Sequence, residues 1–348
     1  MLYLWWRMLE EGRRRMWRLY GRFCVLMLCG SCCGAVTWAV RMVFLDLLFR
    51  GNDAILTGDT ARGIPLGAAS YRLLPVYRVT YALEFLCLST AKLMVLDRMS
   101  DFAAPQGDSM RRRWVVGGRV VMAVVVLGNA AGLAASVAAA VHNQRAAEAA
   151  STFAAYVAAN DIQGGLIHFR SSQEEIRLAS YIASYQSFSE VVVLLLIVTA
   201  FLVAGVWSAR RISSGLLDID AASAVAAVGR TLRVRVVTTT VVLFVAFVLN
   251  CVATTMDAVA TSFADEANKV CPGVSSRRCD AACYNVYTQI AQWMSYTPEF
   301  QLTFVLISSP LVLLVALWGM TNKSVLHIMK SSRLDASSTS MPRSLLKK

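Results

Sequence analysis

The stretch VYRVTYALEFLCLSTAKLMVLDRM, residues 76–99, decides the fold. It is long enough to cross about 30 Å of hydrocarbon as a helix, which takes about 20 residues. Yet it carries Glu84 near its middle and Lys92 lower down. An ionisable side chain at that depth must face other helices, water or a neutralised state, because an isolated one costs on the order of 2.5–3.5 kcal/mol to insert. The rest of the chain therefore has to supply neighbours for this segment.

The composition agrees with a membrane reading. The 348 residues are 57% hydrophobic and only 16% charged, with mean hydropathy +0.53, well outside the soluble norm of about 25% charged. Five further runs have the length of a span, giving six in all: 23–45, 76–96, 117–140, 188–207, 236–257 and 300–319. The expected fold class is an all-α membrane protein with six transmembrane helices.

Lys and Arg outside these runs set the orientation. The segments 1–22, 97–114, 208–235 and 320–348 hold 21 of them, and the alternate connections only 9. The positive-inside rule then places both termini in the cytosol. An even number of crossings fits both basic ends, which argues against a seven-helix receptor with an exported N-terminus. The expected layout is an N-terminal basic amphipathic interfacial helix (1–22), a six-helix bundle (23–319) and a basic, serine-rich cytosolic tail (320–348).

A net charge of +12 also invites a nucleic-acid reading. The charges, however, lie in short runs beside apolar spans, where they contact anionic inner-leaflet lipids. The partners expected are the lipid bilayer and those lipids, and no nucleic acid. Glu10 and Glu11 within the basic start argue against a removable leader, and the expected home is the plasma membrane or a secretory-pathway membrane.

Small residues mark helix contacts, because close approach in lipid depends on them. Gly30 and Gly34 are four apart in the first span, as are Gly128, Gly132, Ser136 and Ala140 in the third. The triplet Cys32-Cys33-Gly34 resembles the Cys-Cys-Gly signature of tetraspanins, but it lies inside a span rather than in a large outer loop, so the chain is not assigned to that family.

The nine cysteines divide by position. Cys24, beside Arg22, is a candidate for acylation. Cys271, Cys279 and Cys283 share the last outer loop and are disulfide candidates in an oxidising compartment. Their odd number leaves one thiol free or paired with another chain, which would make a homo-oligomer.

No catalytic motif is present: the sequence has no GxxxxGK[ST], HExxH, GxSxG or intramembrane GxGD. The expectation is a non-enzyme without metal or cofactor. His142, His168 and His327 fall in expected loops or the tail, far apart in sequence.

Polar residues recur in the central to outer half of several spans, Glu84, Asn129, Asn250 and Ser308, with Glu190 and Asp257 nearer the outer rim, where they would make the mouth acidic. They are read as a ligand or ion pathway in the outer half of the bundle, with Lys92 snorkelling toward the inner face. Two functional classes follow. One is a transporter or channel-like protein for a cation or small polar solute. The other is a non-transporting sensor or scaffold acting through its outer loops and basic inner loops.

Overall fold

The computed structural model describes the backbone of residues 14–103 and 108–217, scattered residues between 234 and 259, and residues 286, 289 and 290. Among these the secondary structure is helical apart from short turns. Helix α1 runs Arg14–Leu56, α2 Thr60–Tyr71, α3 Leu74–Ala103, α4 Asp108–Ala158 and α5 Ile162–Leu217. The described residues within Thr240–Met256 belong to a further apolar helix. Four stretches are long and apolar enough to cross a membrane: Gly21–Leu56, Thr60–Asp97, Ser109–Ala158 and Ile162–Arg210.

The helices outrun the spans read from hydropathy. At 51 and 56 residues, α4 and α5 are more than twice the length a bilayer requires. The connections 46–75 and 141–187, expected as outer loops, are helical almost throughout. The reason is local. The run after Val141 is dominated by alanine, the best helix former, and a paired helix gives its small-residue face something to pack on. At the other ends, residues 14–22 run into the first span without a break, and α5 continues past residue 208 to Leu217. Residues 1–13 and the expected sixth span, 300–319, lie outside the described residues.

Two tight turns set the hairpins. Gly58 has φ +88, which glycine adopts freely. Asp59 then caps α2 by accepting from the Arg62 amide at 3.1 Å. At the far tip, Asn160 takes φ 58, a left-handed position that asparagine tolerates. Asp161 caps α5 by accepting from the Gly164 amide at 2.9 Å. Pro75, second residue of α3, sits in a first turn, where its missing N–H breaks no helical bond.

α4 and α5 form one antiparallel pair. Ser189 donates to the Gly128 carbonyl at 3.0 Å, His142 Nδ1 lies 2.6 Å from Glu175 Oε2, and Ser172 donates to the Ala146 carbonyl at 3.0 Å. These contacts keep a single register along the pair. Alanines at 139, 140, 146, 147, 179 and 183 fill the seam, and Phe153–Phe169 and Tyr156–His168 ring contacts close the tip. His142 and His168 thus sit on packed helices, not in loops. The α1–α2 hairpin leans on the same pair, with Ala68 packed against Ala150 and Ala154.

Aromatic residues mark two levels, as amphipathic rings do at membrane interfaces. Tyr181 and Tyr185 share a hydroxyl contact of 2.7 Å at one level. Trp114 and Trp207 meet at 5.6 Å at the other, where Trp114 donates to the Ser100 carbonyl. Tyr185 and Trp207 are separated by about 33 Å along α5 at 1.5 Å per residue, close to one hydrocarbon thickness. Beyond the tyrosine level, α5 extends about 35 Å further to Ile162. Toward the tryptophan level lies the apolar core, in which Phe23, Met27, Val95, Leu96, Val125, Ile197, Phe201 and Phe247 are buried.

Candidate functional site

Helix α3 turns different faces to different neighbours, and this separates its polar groups. Its Tyr81–Ala82–Phe85 side meets α4 and α5, while Glu84 meets α1. A residue three places on is rotated by about 60°, enough to change the facing helix.

On the α4–α5 side, Tyr81 donates its hydroxyl to Glu190 Oε2 at 3.0 Å. Gln186, one turn before Glu190 on α5, donates its amide nitrogen to Glu190 Oε1 at 2.8 Å. Glu190 is 3% exposed and Gln186 1%. A carboxylate removed from solvent needs such bonds, since burying charge without partners is costly.

Beside this carboxylate is a space of about 10 Å³ lined by Ala82, Phe85, Gly128, Asn129, Gly132, Leu133 and Glu190, room for about one water. On the α4 side, Gly128 and Gly132 alternate with Asn129 and Leu133 around the space. Asn129 is 5% exposed, and its Oδ1 has no hydrogen-bond partner. Gln186 Oε1 is likewise unpartnered. Asn129 thus presents a buried carbonyl oxygen without a donor in the space that the Glu190 carboxylate also lines.

Glu84 lies elsewhere. It is half-buried in the α1–α3 seam, where its carboxylate covers the bare backbone of Gly34: a Cβ there would meet Glu84 Oε1 at 2.6 Å. Gly30 takes Cys87 in the same way, at 3.1 Å. One turn toward the tyrosine level the hydroxyls of Thr37 and Thr80 bridge the seam at 2.9 Å. The single stripe read from the sequence is thus divided between two seams. Asn129 and Glu190 line one space, and Glu84 packs in another. Asn250, Asp257 and Ser308 lie outside the described residues.

Lys92 corrects an expectation. Instead of snorkelling it is 2% exposed, with Nζ 4.8 Å from the Phe247 ring centroid. Arg41 over Trp38 and Arg78 over Tyr77 behave alike, at 5.6 and 5.8 Å. Among the described residues no carboxylate lies within ion-pair distance of these three cations. The ring quadrupole attracts each instead.

Cys24 is a free thiol, half-buried on α1, whereas Cys271, Cys279 and Cys283 lie outside the described residues. Among the described residues, no three of His, Cys, Asp and Glu converge as metal ligands would. Sequence reasoning passed over Tyr81 as a site residue. Its only signal was a hydroxyl-bearing ring within the span that carries Glu84, and nothing in the sequence aims it at α5. Gln186 was legible as the i, i+4 neighbour of Glu190.

The chain is thus an all-helical protein, over its described residues, with four helices long and apolar enough to cross a membrane and one buried carboxylate, Glu190, held between helices. No protein-family model matches it, and no curated protein or solved structure does either.

Proposed function

We propose that this is a multipass transporter or channel-like protein that admits a cation or small polar solute to the cluster of Tyr81, Asn129, Gln186 and Glu190. In this reading six spans cross a plasma or secretory-pathway membrane, both termini are cytosolic, and the tyrosine level faces outward. The observation that carries it is Glu190. It is buried and held at both oxygens beside a space where Asn129 Oδ1 lacks a donor. Intramembrane ionisable groups that persist at such cost mark substrate or ion paths. The apolar core on the tryptophan side would seal the cluster from the cytosol while the outer side loads.

The test is flux. Full-length protein reconstituted in liposomes is given opposing Na⁺, K⁺ and H⁺ gradients, and the potential is followed with a voltage-sensitive dye. The wild type dissipates one of these gradients, and Glu190→Gln loses at least tenfold of that rate while eluting as a single species. Absence of flux under every gradient would overturn the reading.

One observation favours the alternative, a non-transporting sensor or scaffold. The α4–α5 hairpin projects far past the tyrosine level, an extent that crossing a bilayer does not require. On that reading the hairpin meets a ligand and the basic inner segments meet lipids or a partner. A protein without flux whose hairpin deletion abolishes its cellular phenotype would support it.

A further inference from the structure

We propose that Arg112 and Arg119, on one lipid-facing stripe of α4, bind the phosphate of an anionic phospholipid in the leaflet at the tryptophan level. The proposal is independent of the Glu190 cluster and stands under either functional reading.

Helix α4 enters its apolar run just after Trp114, and Arg111, Arg112 and Arg113 precede that tryptophan. Arg119 follows Trp114 by five residues, about 7.5 Å along the helix on the hydrocarbon side. Seven residues separate Arg112 from Arg119, close to two turns, so both lie on the same face. Both are exposed, and the face continues through Ala123, Val126 and Ala130, which are exposed as well. Val116, between the two arginines, is also exposed. An arginine on an exposed apolar face within a span has no helix to pack against, and lipid is what reaches it.

Charge decides the ligand. None of Arg111, Arg112, Arg113, Arg119 and Arg210 has an ion pair among the described residues. Arginine keeps its proton in proteins, so a guanidinium among acyl chains must reach an anion. The Cα–Cβ bonds of a helix tilt toward its N-terminus, which for α4 is the tryptophan side. Arg119 therefore leans back toward Arg112, and headgroup phosphates lie at the depth between them. A guanidinium fork offers two parallel N–H donors to phosphate oxygens. On the antiparallel neighbour, Arg210 lies three residues past Trp207, whose ring meets that of Trp114. This brings Arg210 to the level of Arg111, where it adds positive potential at the same membrane surface. An acidic protein or a nucleic acid stays in water and would meet Arg111 and Arg113, but it does not reach Arg119 among exposed apolar residues.

The experiment titrates purified full-length protein in detergent with phosphatidylglycerol or phosphatidylcholine of matched chains, and reads the first bound lipid by native mass spectrometry. The wild type should bind phosphatidylglycerol more tightly. Each basic residue at an anionic lipid surface strengthens binding about fivefold, so Arg112→Gln/Arg119→Gln should lose about tenfold or more in phosphatidylglycerol affinity. Arg62→Gln, at an exposed position on α2 away from this stripe, should bind as the wild type does. Equal wild-type affinities for the two lipids overturn the proposal, and so does undiminished phosphatidylglycerol binding in the double variant. An equal loss in Arg62→Gln overturns it too, since overall charge and not the stripe would then attract the lipid. Competition by glycerol phosphate as strong as that by the lipid would identify a soluble phosphate ligand and overturn the lipid assignment. The headgroup comparison needs only wild-type protein, so it stands if the double variant misfolds.

Discussion

The Tyr81 hydroxyl reaches across from α3 to Glu190 Oε2 on α5, at 3.0 Å, and joins two helices separated by the whole of α4 in the chain. A carboxylate 3% exposed is thereby tied to the span read first from the sequence, through a residue other than the glutamate that made that span unusual.

This bond should be measurable as a coupling. A double-mutant cycle of Tyr81→Phe and Glu190→Gln, followed by denaturant unfolding in micelles, should give an interaction energy of about 0.6–1.7 kcal/mol, the span from the average to the maximum found for interhelical bonds in membrane proteins. Additive effects of the two changes would mean that the bond carries no energy.

The Gly34–Glu84 contact predicts a clash and its relief. Gly34→Ala places a methyl against the Glu84 carboxylate, the far end of a flexible side chain that can swing aside, and should destabilise by about 0.5–1.5 kcal/mol, the cost of an off-rotamer shift. Adding Glu84→Ala clears that space, so the double variant should recover most of the loss. Thermal unfolding of the two single variants and the double variant checks this.

Lys92 makes a prediction of the opposite sign. Its ammonium is buried over Phe247 with no carboxylate within ion-pair distance among the described residues, so Lys92→Met removes a desolvated charge and keeps the stem volume. Replacing buried charge by a well-packed apolar group is often neutral or stabilising, and Tm should hold or rise. A fall of several degrees would indicate that the lysine has a functional or structural counter-charge.

The hairpin tip offers a topology test. The Asn160–Asp161 turn is exposed, and such turns tolerate insertions. An epitope placed there should leave expression intact and be protected from protease in sealed microsomes, while one after Lys348 is cleaved. The reverse pattern would invert the proposed orientation.

Much of this architecture was legible residue by residue. The apolar runs at 23–45, 76–96, 117–140 and 188–207 all fall within helices, because an apolar segment of that length satisfies its backbone in lipid only as a helix or in a closed barrel. The glycine pairs 30/34 and 128/132 marked seams, since a side chain at Gly30, Gly34 or Gly128 would meet α3 or α5. Where the helices stop was not legible. Hydropathy reports a bilayer's thickness, and the Ala-rich continuation of α4 is helical because α5 returns alongside it.

The sequence by itself determined that the chain is helical and apolar, that Glu84 and Glu190 lie within or beside apolar runs long enough to cross a membrane, and that small residues bring the helices close. Only the tertiary structure decided that these two carboxylates belong to different seams. Each residue turns a helix by about 100°, so neighbours in sequence face different helices. Which helix lies on which face is set by packing among segments far apart in the chain. Glu84 therefore rests on Gly34 of α1, and Glu190 accepts from Tyr81 and Gln186 beside a space that Asn129 also lines.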